Sequence, residues 1–149
     1  MKVYIDADHN GFALKQQIIT YLQHIGYDVI DVGMPKLDPH DDFPLTASRV
    51  VINMQGDTDP SVRGILICGS GQGVCMAANR FKGIRAALGV DNQQAQAARN
   101  DEDSNVLCLS ARQLTLEKAK TIVHTWLTTP FAGAPRYKRR IKQLDELAG

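Results

Sequence analysis

Neither sign of charge prevails in this 149-residue chain: 17 Lys and Arg face 16 Asp and Glu, for a formal net charge of +1. That balance argues against a general nucleic-acid binder, which needs a basic footprint. Cysteine is scarce as well. Cys68, Cys75 and Cys108 have no metal-ligand spacing among them, and each lies in apolar surroundings, as reduced residues of a cytosolic protein do. No apolar run is long enough to span a membrane. The opening Met1-Lys2-Val3-Tyr4-Ile5-Asp6 lacks the apolar stretch of a signal peptide and reads as a first strand. A cytoplasmic location is expected. Repeats and low-complexity segments are also missing. What remains, 44% hydrophobic and 22% charged residues, fits a folded soluble chain, and the length suits one domain, residues 1–149, with one sizeable core.

Strand and helix patterns alternate. Strands are expected over Val3–Ala7, Asp28–Val32, Gly64–Cys68, Ile84–Val90 and Asn105–Leu109. Helices are expected over Gly11–Ile25, stopped by Gly26, and from Asp42-Phe43-Pro44 to about Asn53, with Pro44 in a first-turn position. Further helices are expected over Val74–Arg80, Asn92–Arg99 and Thr115–Leu127, with a last basic helix over Arg136–Leu147. This order predicts an α/β fold: a Rossmann-like, five-stranded parallel sheet with helices on both faces, plus a C-terminal helix. Ligands of such sheets bind beyond the carboxyl ends of the strands. That rule gathers Asp8-His9-Asn10-Gly11, Asp42-Phe43, Cys68 to Gly73, Asp91 and Arg112.

The stretch Ile67-Cys68-Gly69-Ser70-Gly71-Gln72-Gly73 joins a buried strand to a helix. A glycine-rich turn there exposes N–H groups at a helix N-terminus, where negative charge is favoured. It lacks the Lys-Ser/Thr ending of a phosphate loop, and its glycine spacing differs from the dinucleotide fingerprint. A cysteine at its mouth gains thiolate character and becomes a candidate base or nucleophile. The plainer reading is a buried Cys68 packed as a small hydrophobe.

Other polar residues carry two readings each. Asp8 or Asn10 caps a helix, or Asp8 binds a sugar hydroxyl while His9 points toward a phosphate. Arg136 and Arg140 share a helix face, as a solvated surface or as a pair of guanidinium forks for phosphate. Asn100-Asp101-Glu102-Asp103-Ser104-Asn105 reads as a turn, and its three acids have no further ligand at metal spacing. His24 and His124 are expected at the surface, and His40 has no assigned role.

Ala7-Asp8-His9-Asn10-Gly11, Asp42-Phe43-Pro44, the Cys68–Gly73 loop, Ala77-Ala78-Asn79-Arg80, Gly83-Ile84-Arg85-Ala86, Ser104-Asn105-Val106-Leu107 and the late arginine pair occur together and in order. In this the chain resembles the ribose-5-phosphate isomerase B family, whose superfamily includes the galactose-6-phosphate isomerase subunits. The resemblance covers nearly the whole chain. It implies a homodimer with active sites shared between subunits, and leaves open a further pairing into a tetramer. It also implies aldose–ketose isomerisation of a sugar phosphate through an enediolate, without metal or other cofactor and without nucleic-acid or membrane partners. By position, Cys68 would move the proton between C1 and C2, with Ser70 in support. The N–H groups from Gly69 through Gly71 to Gly73 would hold the enediolate oxygen. Asp8 would contact the sugar. His9, Arg136 and Arg140 would hold the phosphate, and Arg112 would reach in from the partner subunit. Some members use a Glu within the glycine loop as base. Val74 stands there, which leaves Cys68.

Two departures lie on the ring-handling side. The family's His-Asn pair before the last strand is replaced by Asp101 and Glu102. A carboxylate is a weaker base than imidazole for ring opening, and unlike an amide it cannot donate to an oxyanion. The family's usual tyrosine is Phe43, which lacks the hydroxyl. Ribose 5-phosphate to ribulose 5-phosphate is the default reaction. A four-carbon or six-carbon sugar phosphate is the alternative substrate. Two further readings are a non-catalytic sugar-phosphate-binding module and a subunit that needs a different partner chain.

Overall fold

Three segments are buried almost throughout: β1 (Lys2–Ala7), β3 (Arg63–Cys68) and β5 (Val106–Ser110). Strands without an exposed face belong in a parallel sheet covered on both sides. In the computed structural model, which describes residues 1–147, they form its centre. Ala148 and Gly149, the end of the expected 1–149 domain, lie outside the described residues. With β2 (Asp28–Asp31) and β4 (Ala86–Leu88) they make a five-stranded, all-parallel sheet in the order β2-β1-β3-β5-β4.

Because side chains alternate across a strand, the sheet sorts its apolar residues into two cores. Ile5, Ile65, Ile67, Leu107 and Leu109 meet helices α1 (Phe12–His24) and α5 (Leu116–Thr128) through Ile18, Leu22, Val123 and Trp126. Tyr4, Leu66, Cys68, Val106 and Cys108 meet α2 (Phe43–Gly56) and α3 (Gln72–Ala78) through Val50, Val51, Met54, Val74 and Ala78. Helix α4 (Asn92–Asn100) joins the first core through Ala95. Trp126 is fully buried, and its indole N–H donates to Ser104 Oγ at 2.8 Å. Truncating such a residue costs about 3–5 kcal/mol. Helix α6 (Pro135–Glu146) completes the chain and has no buried residue.

The expected helices and strands are all present, and three of them differ at a boundary by two residues or more. β4 spans three residues, not the seven of Ile84–Val90, because it pairs with β5 alone at the sheet edge. α3 runs from Gln72 to Ala78, not from Val74 to Arg80. The Asn79 amide, just past its end, bonds the carbonyl and N–H of Ala86 at 2.9 and 2.8 Å, an attachment to β4 that stops the helix. α2 continues beyond Asn53 to Gly56.

From β1 the chain crosses over to β2 at one side, and from β3 it proceeds toward the opposite edge. The crevice of an open α/β sheet forms at such a reversal. The loops after β1 and β3 meet there.

Candidate active site

The two loops are tied at the backbone. Asp8 N–H donates to the Ile67 carbonyl at 3.1 Å, and a Cβ on Gly11 would lie 2.7 Å from that same oxygen. Only glycine permits the approach. Asp8 is buried, and its Oδ1 accepts from Asn10 N–H at 2.9 Å and Gly11 N–H at 3.2 Å. Burial pushes this carboxyl up, and the two N–H groups and His9 pull it back. Asp8 therefore shapes the entry turn of α1 as well as standing beside Cys68's loop.

Cys68 ends β3 at 5% exposure, and its Sγ accepts from Gly71 N–H at 3.2 Å. Gly71 has φ +76°, the left-handed turn that brings its N–H back onto the sulfur. Ser70 Oγ accepts from the N–H of Gln72, the first residue of α3, at 3.2 Å. Cys108, by contrast, is fully buried, and burial pushes its thiol well above the ordinary range. Cys75 points its sulfur at the Ala86 carbonyl, 3.5 Å away. Of the three, Cys68 is the cysteine at the mouth of the loop.

Two side chains flank the glycines. The Phe43 ring lies against Gly73, 3.0 Å from where a Cβ would stand, held there by the first turn of α2. The Arg112 guanidinium lies over Gly69 at a similar distance, and Arg112 N–H donates to the Gly69 carbonyl at 3.0 Å. Arg112, expected to reach in from a partner, thus stands beside the glycine loop of its own chain. It follows β5 directly, and β5 is hydrogen-bonded beside β3, so it belongs to its own chain's loop.

His9 has a partner that no local pattern indicated. Asp41 Oδ1 accepts from His9 N–H at 3.0 Å and lies 2.7 Å from His9 Nδ1. Asp41 above all, with Asp8 and Asp38 adding their charge, raises the imidazole above its ordinary value. The pair spans 32 positions, so only the fold brings it together. Polar atoms of Asp8, His9 and Asp41 converge within 4.8 Å. The imidazole and Asp41 spend theirs on each other as a hydrogen bond.

The remaining expected residues are elsewhere. Asp101 and Glu102 precede β5, at the amino end of the sheet, whereas Cys68 is at the carboxyl end. Asp101 Oδ1 accepts from the Asn100 side chain at 2.7 Å, and the Glu102 carbonyl accepts from Arg85 Nε at 3.0 Å. Asp103 is clasped by Arg99 at 2.8 Å and Arg85 at 3.3 Å, so positive charge already occupies this loop. Helix α6 lies along the same end, where Arg85 approaches Asp145 at 4.0 Å. A groove of about 720 Å³ between α6 and Arg80, Lys82 and Asp103 belongs to that end too. Arg136 stacks on the Tyr137 ring 4.4 Å from its centroid, and Arg140 is exposed one turn on. One chain thus assembles Asp8, His9, Phe43, Cys68, Ser70, the glycines and Arg112, and leaves Asp101, Glu102, Arg136 and Arg140 at the far end.

The assembled half suits abstraction of a proton from carbon next to a carbonyl. It offers a sulfur base, main-chain donors for an oxyanion, and cationic groups for an anionic substrate.

Comparison with known proteins agrees with this chemistry. Residues 3–144 match the model of the Ribose/Galactose Isomerase family. A probable ribose-5-phosphate isomerase B of Mycoplasma pneumoniae is 47% identical over 137 residues, 92% of this chain and 89% of that protein. Ribose-5-phosphate isomerase B of Escherichia coli is 38% identical, covering 98% and 95%. The crystal structure of the Mycoplasma genitalium ribose-5-phosphate isomerase B with bound ribulose 5-phosphate superposes with a TM-score of 0.92 at 40% identity, over 97% of this chain and 94% of that one. The Thermotoga maritima ribose-5-phosphate isomerase gives 0.91 at 40% identity, over 98% of both chains.

Proposed function

Because the chain belongs to the ribose/galactose isomerase family, we propose that it interconverts ribose 5-phosphate and ribulose 5-phosphate, with Cys68 as the base. The thiolate takes the proton from C2 of the open-chain aldose, and the electrons left behind pass to the C1 oxygen as an enediolate. The sulfur returns a proton to C1, the O2 proton moves to O1, and the ketose is complete. No cofactor is needed, since no net electrons are exchanged with the enzyme.

N–H groups of the Gly69–Gly73 loop that are not bonded to Cys68 Sγ or Ser70 Oγ stabilise the enediolate oxygen. One such donor is worth about 3 kcal/mol in the transition state. The observation that supports the reading is Cys68 Sγ on Gly71 N–H at the loop mouth, where a base and oxyanion donors would stand side by side. Ser70 supports the loop, Asp8 and Phe43 line the sugar, and His9 and Arg112 face its phosphate end. Anchoring that end aligns C2 with the sulfur.

The other groups come from a second copy. β5 alone separates the two ends of the sheet by roughly 16 Å, at about 3.3 Å per residue. Asp101, which takes the ring hydroxyl proton, Glu102, and the phosphate-holding Arg136 and Arg140 therefore act on the partner's Cys68. A two-fold homodimer closes two such sites at once. Helix α6, with no buried residue of its own, is the arm that crosses. Residues 1–149 form one domain. The three free cysteines suit a reduced cytoplasm, and among the described residues no helix is long and apolar enough to cross a membrane.

Proton NMR of ribose 5-phosphate in heavy water tests the reaction. Wild type forms ribulose 5-phosphate and loses the C2 proton signal, and Cys68→Ala does neither. Turnover by both proteins would remove Cys68 from the role of base. Binding without exchange by wild type would leave a sugar-phosphate-binding module.

A further inference from the structure

We propose that Asp41 is the positioning residue for His9, holding the imidazole by Nδ1 so that Nε2 is presented as a hydrogen-bond donor to the substrate's phosphate. The inference rests on the reading of His9 as a phosphate anchor and adds to it a residue outside every motif discussed above.

The geometry is two-pronged. One carboxylate oxygen, Asp41 Oδ1, accepts from the His9 main-chain N–H at 3.0 Å and faces Nδ1 at 2.7 Å. The first bond sets where His9 starts, and the second sets the ring about both side-chain torsions. With Nδ1–H given to Asp41, the other ring nitrogen is left for a ligand. Among the described residues no hydrogen bond engages Nε2. The ring is one-third exposed and Asp41 one-quarter, so both are reachable from the crevice without being free in solvent.

A neutral imidazole with Nδ1–H has only a lone pair at Nε2, which repels phosphate oxygens. A cationic ring donates from both nitrogens. The charged groups facing the ring are Asp8 in its own loop and Asp41 and Asp38 in the loop after β2, all acidic, and they favour the cation. Lys36, His40 and Asp42 line the adjoining cavity of about 220 Å³ but are not among the groups that shift it. A phosphate monoester becomes a dianion above about pH 6. Binding is then strongest between that value and the raised His9 value. It weakens as pH climbs through the latter and the ring loses its proton.

The test compares wild type, Asp41→Asn and His9→Gln in steady-state kinetics with ribose 5-phosphate across pH 5.5–9, together with ¹H–¹⁵N NMR titration of the His9 ring (roughly the range in which imidazole titrates). In Asp41→Asn, KM at pH 7.5 rises about tenfold while kcat changes little, matching loss of one charge-assisted hydrogen bond. Its alkaline rise in KM moves down toward the ordinary imidazole value of about 6.5. A merely structural role for Asp41 would shift kcat and thermal midpoint but leave that break in place. If His9→Gln raises KM and Asp41→Asn keeps the wild-type break, the Asp41 inference fails while the anchor reading stands. If His9→Gln leaves KM unchanged, both fail. If Asp41→Asn does not fold, the wild-type titration decides, and an imidazole titrating at its ordinary value overturns the proposal.

Discussion

The two ends of the sheet are built on different principles. At the carboxyl end, polar side chains converge on the loops of β1 and β3 and bond to main-chain N–H groups there, as Asp8 and Cys68 do. At the amino end, the loop before β5 is riveted by side-chain charge: Arg85 and Arg99 on Asp103, and Trp126 on Ser104. The first end orients groups inward toward a crevice, and the second fixes a scaffold and leaves Glu102, Arg136 and Arg140 outward. A residue chemically apt for a site thus lies beside its own chain's Cys68 loop only at the first end.

The sharpest way to break this comparison is Cys68→Ala, which lowers kcat by about 100- to 10,000-fold, the range of a positioned base. The paired Arg136→Ala/Arg140→Ala variant, at the opposite end, is likewise nearly inactive, through KM. Mixing the two dead proteins after dissociation separates the possibilities. Shared sites restore about a quarter of wild-type activity, because half of the dimers are mixed and each has one intact site. Sites confined to one chain restore none.

A smaller effect is expected at Glu102. A carboxylate in place of an amide would oppose an enediolate at the shared site proposed above, so Glu102→Asn is expected to raise kcat on ribose 5-phosphate by about tenfold. Wild type preferring a four-carbon aldose phosphate, with the variant reversing the preference, would instead assign Glu102 to substrate choice.

The smallest effect concerns stability at the amino end of β1. Asp57 is held well below the usual carboxylate range by Lys2 at 2.6 Å, with the Asp59 N–H and the Tyr4 hydroxyl adding to it. A carboxyl depressed in the folded state contributes stability that is present above its unfolded value and lost as pH falls through the folded one. Thermal midpoints measured from pH 5 to pH 2 therefore drop less steeply in Asp57→Asn than in wild type (roughly the range where carboxylates titrate). Activity at pH 7.5 stays level, since the cluster is remote from Cys68.

Legibility in the sequence followed the range of the interaction. The glycine loop could be placed because an apolar run, a Cys and alternating glycines are neighbours, and their hydrogen bonds close within three residues. The edge strand could not be measured: Ile84–Val90 is apolar enough for seven residues, yet pairing on one side sustains Ala86–Leu88 only. The place of Arg112 beside Gly69 could not be read either, because its number says that it follows β5, not that β5 lies beside β3. Asp41 was passed over because the partner that gives it meaning is 32 residues away.

The residues themselves determined the alternation of strands and helices, the two-sided burial of β1, β3 and β5, and the chemistry available at Cys68, since each of these depends on side-chain period or on atoms a few bonds apart. Only tertiary structure decided the strand order, the His9–Asp41 pair, and the separation of Cys68 from Asp101, Glu102 and the late arginines. Those depend on which distant segments share a face or an end of one sheet, and a linear pattern carries no measure of distance across it.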